Sequence, residues 1–194
     1  MQPLPFVWPY ALLFWAAFLW AFLPESRLVR RAQRAQTDAD AKSLQVITFV
    51  QGIAFAGAFA LAGARVLQFA PAHLRAAFYA GVALIVAGSL LRRHCWRMLG
   101  VSFTGDVRAR ADQEVVGRGA YRFLRHPSYT AGIILNAGVG LALGSWASAL
   151  LLVVASVAGD AYRIAVEERT LLAVIGEPYR EFMRTRKRLI PFVY

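Results

Sequence analysis

"HPSYTAGIILNAGVGLALGSWASALLLVVASVAGDAYR", residues 126–163, decides the fold. It holds two apolar runs, about 128–144 and 146–164, joined only through Gly144-Ser145-Trp146. A bilayer core of about 30 Å takes roughly 20 apolar residues per helix. Two runs near that length with so short a joint predict a tight antiparallel pair of membrane helices. The end of the second helix must then lie beside the start of the first. That places Arg125-His126-Pro127-Ser128-Tyr129 next to Asp160, Arg163 and Glu167, which are three and four apart and share one helical face.

Working outward, three more runs come close to spanning length: 5–23, about 44–63 and about 74–91. The expectation is an all-α, polytopic membrane protein with about five transmembrane helices. Trp8, Tyr10 and Trp20 in the first run suit the membrane–water interface. That run has no Lys or Arg before Arg27, so it lacks the charged start of a secretory leader and reads as a retained span.

The composition agrees. The chain is 194 residues long and 58% hydrophobic, with a mean hydropathy of +0.47. It nevertheless carries 22 Lys and Arg and a net charge of +11. The two properties are segregated along the chain. Segment 24–43 holds five basic residues, 92–125 holds eight and 163–194 holds seven, leaving only Arg65 and Arg75 for the opposite face. A soluble nucleic-acid-binding domain would gather its charge on one face instead of flanking apolar spans. By the positive-inside rule the basic side is cytoplasmic, which puts the N-terminus outside and the C-terminus inside. The abundance of Ala and Arg points to a bacterial chain, and hence to an inner membrane.

The whole reads as a single membrane domain, 1–194. Residues 1–91 carry three spans, and 92–194 carry a loop, the hairpin of 128–164 and the C-terminal helices. The loop has regular apolar insertions (Val107, Val115, Val116, Tyr121, Phe123), which predicts that it is ordered. Segment 165–190 is amphipathic: a helix to about Ile175, a break near Gly176–Pro178, then a second helix forming a cytosolic cap.

Several chemistries are set aside. Cys95 is the single cysteine, so no intrachain disulfide forms. His73, His94 and His126 show no metal-ligand spacing. "GVGLALG" follows no strand and sits within a membrane span, so it is not a dinucleotide motif. Gly132, Asn136, Gly140 and Gly144 instead recur at every fourth position, as a face for close helix packing.

Ionisable groups at membrane depth are functional suspects. Pro127 suits the first turn of a helix. The N–H groups that follow it would favour an anion, such as a cofactor carboxylate or phosphate. "EVVGRGAYRFLRHPSYTAG", followed by "EERTLLAVIGEPYREFMRTRKRLIP", resembles the isoprenylcysteine carboxyl methyltransferase family, within the wider group that includes phospholipid N-methyltransferases. The shared pattern is an apolar pair, Gly-x-Tyr, Arg-His-Pro-x-Tyr, a membrane hairpin, paired glutamates, Gly-x-x-Tyr and a final Pro. It covers roughly residues 103–191.

The resemblance implies a membrane methyltransferase that uses S-adenosylmethionine without a Rossmann domain. The cofactor would lie in a cytosolic pocket, and a lipid or prenylated substrate would enter from the bilayer. Val115, Val116 and Tyr121 would wall the cofactor pocket, with Gln113 and Glu114 at its edge. His126, Pro127, Ser128 and Tyr129 would contact the cofactor, Glu167 would hold it through hydrogen bonds, and Arg163 would face the substrate. The family often has a histidine where this chain has Gln113. Tyr179 is expected to serve simple packing.

A carboxylate acceptor is already ionised and needs a cation to orient it, for which Arg163 offers a bidentate fork. An amine acceptor would need a base, Glu167 or Glu168. Two further readings compete: an NAD(P)H-dependent reductase of sterol-like lipids, and a membrane scaffold or transporter. Reductases that share the Arg-His-Pro-x-Tyr turn usually carry Asn and a following Gly-Glu around the tyrosine. Here Ser128 and Thr130-Ala131-Gly132 stand there. Paired Glu167-Glu168 also favours the methyltransferase.

Overall fold

The computed structural model describes residues 2–34, 42–100, 113 and 115–190. Six α-helices carry the fold: α1 Tyr10–Arg34, α2 Ser43–Gly63, α3 Pro71–Leu99, α4 Pro127–Ala142, α5 Trp146–Ile175 and α6 Glu177–Thr185. Short 3-10 turns stand at Leu4–Phe6 and Gly119–Arg122. No β-strand forms among the described residues; isolated bridges pair Gln68 with Ser145 and Leu124 with Lys187.

Four helices, α1, α2, α3 and α5, are long and apolar enough to cross a membrane. The expected fourth span is present as α4, but it has 16 residues. At 1.5 Å per residue that is about 24 Å, shorter than a hydrocarbon core. Its shortness follows from its ends. Pro127 opens it, and Gly144, at φ 73°, turns the chain immediately after it. α4 is compensated by burial: Ala131, Leu135, Val139 and Ala142 are all nearly inaccessible.

α1 and α3 overrun the expected spans at their basic ends, to Arg34 and Leu99, and the helix expected to end at about Ile175 is continuous with the fifth span as α5. The break expected near Gly176–Pro178 is where it was placed. Gly176 takes φ 74°, and α6 starts at Glu177.

The core mixes small and aromatic side chains. Phe14, Phe78, Ile85 and Leu152 are fully enclosed among Ala54, Ala58 and Ala62. Phe49, Ile53, Leu150 and Val154 stay exposed on the outside of the bundle, as lipid-facing positions should.

α3 and α4 touch backbone to backbone. A Cβ on Gly138 would lie 2.7 Å from the Gly81 carbonyl oxygen, and one on Gly88 would lie 2.8 Å from the Ala131 carbonyl oxygen. The expected small face of α4 turns instead toward α5 and the cavity: Gly140 abuts Ala149, and Asn136 donates to Ser156 Oγ at 2.7 Å.

The α4–α5 joint is knitted to the α2–α3 loop. Phe69 N donates to Gly144 O at 3.0 Å, and Trp146 N donates to Leu67 O at 3.0 Å. Ser145 Oγ donates to Val66 O at 2.8 Å and accepts from Ser148 N at 3.1 Å, which caps α5. This end is sealed, so the opposite, basic ends of all five long elements converge around open space.

Candidate active site

That space is a cavity of about 580 Å³, walled by the basic ends of α1 to α5, by α6 and by Gln113, Val115, Val116 and Tyr121. The size suits a small-molecule site. Its wall changes character with depth. Val115, Ile175, Tyr179 and Phe182 make an apolar outer part, Glu167, Arg163 and Asp160 line α5 in descending order, and Gln51 and Asn136 stand at the deep end.

The Arg-His-Pro turn is fixed by a segment that follows α6. Arg125 N donates to Lys187 O at 2.8 Å, and His126 N donates to Arg188 O at 3.1 Å. Thr130 Oγ1 donates to Leu189 O at 2.7 Å. The Arg125 guanidinium reaches Met183 O at 2.7 Å, Arg186 O at 3.2 Å and the Glu168 carboxylate at 3.0 Å. Arg125 therefore ties together the start of α4, the end of α5 and the residues after α6.

The paired glutamates have separate duties. Glu168 is buried and meets three basic groups: Arg125, His126 Nε2 at 3.1 Å and Arg188 at 2.9 Å. Such a network holds the turn together, and it is costly to break because Glu168 and Arg125 are both buried charges. Glu167 faces the cavity and accepts a hydrogen bond from Tyr129 OH at 2.9 Å. His126 Nδ1 lies 3.9 Å from the same carboxylate oxygen. Arg163 Nε donates to Tyr129 OH at 3.1 Å, and its Nη1 donates to Ser43 Oγ at 2.8 Å. Arg163, Tyr129 and Glu167 thus form one hydrogen-bonded chain along the wall, with each rotamer set by its neighbour.

The four side chains expected to share a volume, His126, Tyr129, Arg163 and Glu167, do so. Gln113, Val115, Val116, Tyr121 and Ser128 also line the cavity. Pro127 is fully buried at the first turn of α4 and is not part of the wall. Glu114 lies outside the described residues. Burial raises the phenols of Tyr121 and Tyr179, so both stay neutral at ordinary pH. Tyr179, expected only to pack, stacks on Phe182 with ring centroids 5.9 Å apart, and both rings line the cavity.

Sequence reasoning missed a second layer. Glu25 of α1 and Arg92 of α3 pair at 3.1 Å on the cavity wall, and Arg92 also donates to Ser128 O at 3.3 Å. Gln51 and Asn136 complete the deep end, and Asp160, expected on one helical face with Arg163 and Glu167, opens into the same space. These residues come from helices far apart in the chain. The only signal available was that each is a polar group within or at the edge of an apolar run.

The profile of the phospholipid methyltransferase family matches residues 76–177. That stretch runs from α3 to the start of α6 and holds most of the cavity wall. Among curated proteins, the chain is 31% identical to protein-S-isoprenylcysteine O-methyltransferase B of Arabidopsis thaliana, over 58% of each chain. It is 29% identical to the protein-S-isoprenylcysteine O-methyltransferase of Schizosaccharomyces pombe, over 55% of this chain and 46% of that one. Among solved structures it resembles a eukaryotic intramembrane Ras methyltransferase, isoprenylcysteine carboxyl methyltransferase. The TM-score is 0.54 at 27% identity, covering 58% of this chain and 41% of that one. The chain thus spans less than two thirds of the length of the relatives it matches.

Proposed function

The chain belongs to the phospholipid methyltransferase family, and we propose that it is an integral membrane enzyme that uses S-adenosylmethionine to methylate the carboxylate of an isoprenoid or prenylcysteine-like lipid. The observation that carries this is the chain Arg163–Tyr129–Glu167 on the wall of a cavity running from the basic end into the bundle.

The residues present fit the cofactor. Val115, Val116, Leu171, Tyr179 and Phe182 offer an apolar slot for a flat base. Glu167 offers carboxylate oxygens to hydroxyl and ammonium groups, while His126 and Ser128 stand beside it. S-adenosylmethionine, when bound, supplies an electrophilic methyl group on a sulfonium. The remaining help is positional. Arg163 holds the acceptor carboxylate by charge-assisted hydrogen bonds. Tyr129, fixed between Arg163 and Glu167, keeps the acceptor's anchor and the cofactor's anchor in one register. The carboxylate is ionised at neutral pH, so no side chain has to take a proton. The apolar tail would lie against Phe22, Phe55 and Leu135, which line the same cavity.

In this reading the basic end faces the cytoplasm of a bacterial inner membrane, following the distribution of Lys and Arg. The second reading is an amine acceptor, favoured by the carboxylates of Asp160 and Glu167 on the same wall, either of which could take a proton. The likenesses found lend nothing to the reductase or scaffold readings.

Calorimetric titration of the detergent-purified protein with S-adenosylmethionine and with NADPH tests the proposal. Saturable binding of the first only, weakened in Glu167→Ala and His126→Ala, is expected. Binding of NADPH alone, or of neither, would overturn it.

A further inference from the structure

Asp160 stands out as a carboxylate that the proposed reaction does not use. It is 5% exposed and lines the cavity. Among the described residues its oxygens receive neither a hydrogen bond nor an ion pair; Arg92 and Arg163 act on it only through their fields. A buried carboxylate left so is costly unless a ligand completes it.

A second unpaired acceptor is buried behind the wall. Ser156 Oγ donates to Leu152 O at 2.7 Å, so toward Asn136 it must accept, and Asn136 presents its amide nitrogen to it at 2.7 Å. That fixes the flip of Asn136 and leaves its Oδ1 as an acceptor, buried without a partner among the described residues. The unsatisfied carboxylate of Asp160 lines the cavity one turn of α5 from Ser156, on the deep side of Arg163.

Asp160 and Arg163 are three residues apart on one helix face, about 4.5 Å along the axis. A cation-binding oxygen pair beside a carboxylate-binding fork complements a group with both charges on one carbon. We infer that the acceptor is a free, lipid-bearing α-amino acid, with its carboxylate on Arg163 and its α-ammonium on Asp160, and not the C-terminal residue of a peptide. This rests on the carboxylate-methylating reading above. An ammonium brings the opposite charge and three N–H donors to the two oxygens of Asp160, whereas the amide of a peptide-linked residue is neutral and offers one. Depth separates this role from the cofactor, whose apolar slot and Glu167 lie toward the opposite, outer part of the cavity.

The test uses the full-length protein in detergent with S-adenosylmethionine and either S-farnesyl-L-cysteine or its N-acetyl derivative, with products identified by mass spectrometry. The free amino acid is expected to exceed the N-acetyl compound in kcat/KM by about tenfold or more, the worth of one charge-assisted contact. Asp160→Asn is expected to abolish that preference while still binding the cofactor. Equal or reversed kcat/KM in the unaltered protein overturns the inference. So does loss of cofactor binding in an Asp160→Asn protein whose melting temperature in detergent matches that of the unaltered protein, because the carboxylate then belongs to the cofactor. Bound cofactor with no ester from either compound, or an N-methylated product, overturns instead the carboxylate reading on which the inference stands.

Discussion

Two adjacent glutamates, identical in type, differ in what surrounds them. Glu168 is enclosed by Arg125, His126 and Arg188, and Glu167 faces the cavity through Tyr129. Glu168→Gln should lower the melting temperature in detergent markedly, because removing one partner of a buried ion network costs roughly 3–5 kcal/mol. Glu167→Gln should leave the melting temperature nearly unchanged and weaken S-adenosylmethionine about tenfold in calorimetry, the worth of a charged hydrogen bond. On the proposed function, Arg163→Lys should lose most of kcat/KM, since a point charge cannot keep both the Tyr129 and Ser43 contacts and a substrate fork; turnover close to that of the unaltered protein would count against the role of the guanidinium. That His126, Tyr129, Arg163 and Glu167 meet was legible in the sequence, because a three-residue joint forces the two helix ends together. The division of labour between the glutamates was not. It depends on Arg188, 20 residues further on and outside any helix.

At the scale of the element, the helices were legible from their apolar runs, but their partners were not. Gly81 and Gly88 looked like ordinary small residues in an apolar span. In the fold they let α3 press against α4 until only backbone separates them. Gly138→Leu should therefore be far worse than the same change at Gly52, where an added Cβ meets nothing within 4 Å. Overpacking costs typically about 1–3 kcal/mol, and here neither backbone is free to yield. Size-exclusion profiles and melting temperatures of the two variants in detergent would compare them. The length of α3 was underestimated for a related reason: hydropathy reports where a helix leaves lipid, not where it ends. Arg92 and Arg93 remain helical past that point because α1 and α4 supply partners, Glu25 and the Ser128 carbonyl for Arg92 and the Trp20 carbonyl for Arg93.

For the whole molecule, the distribution of charge was the most informative feature of the sequence, since it marked the end of the bundle at which the cavity opens. It could not show the Glu25–Arg92 pair or the polar deep end, which need the helices packed in three dimensions. With Cys95 replaced by Ala, Lys187→Cys should react with a membrane-impermeant maleimide only in inside-out vesicles, and Arg65→Cys only in right-side-out ones; both side chains are exposed. The opposite pattern would invert the orientation. The rail formed by Lys187, Arg188 and Leu189 bears on how the protein is made. Ribosomes add roughly 5–20 residues per second, and these three are added after α1 to α5. A nascent chain can thus have α1 to α5 inserted while the Arg-His-Pro turn still lacks the carbonyls that hold it. Capture of the methyl donor would then wait on translation of this short stretch, and a chain clipped before it would sit correctly in the membrane yet be inert.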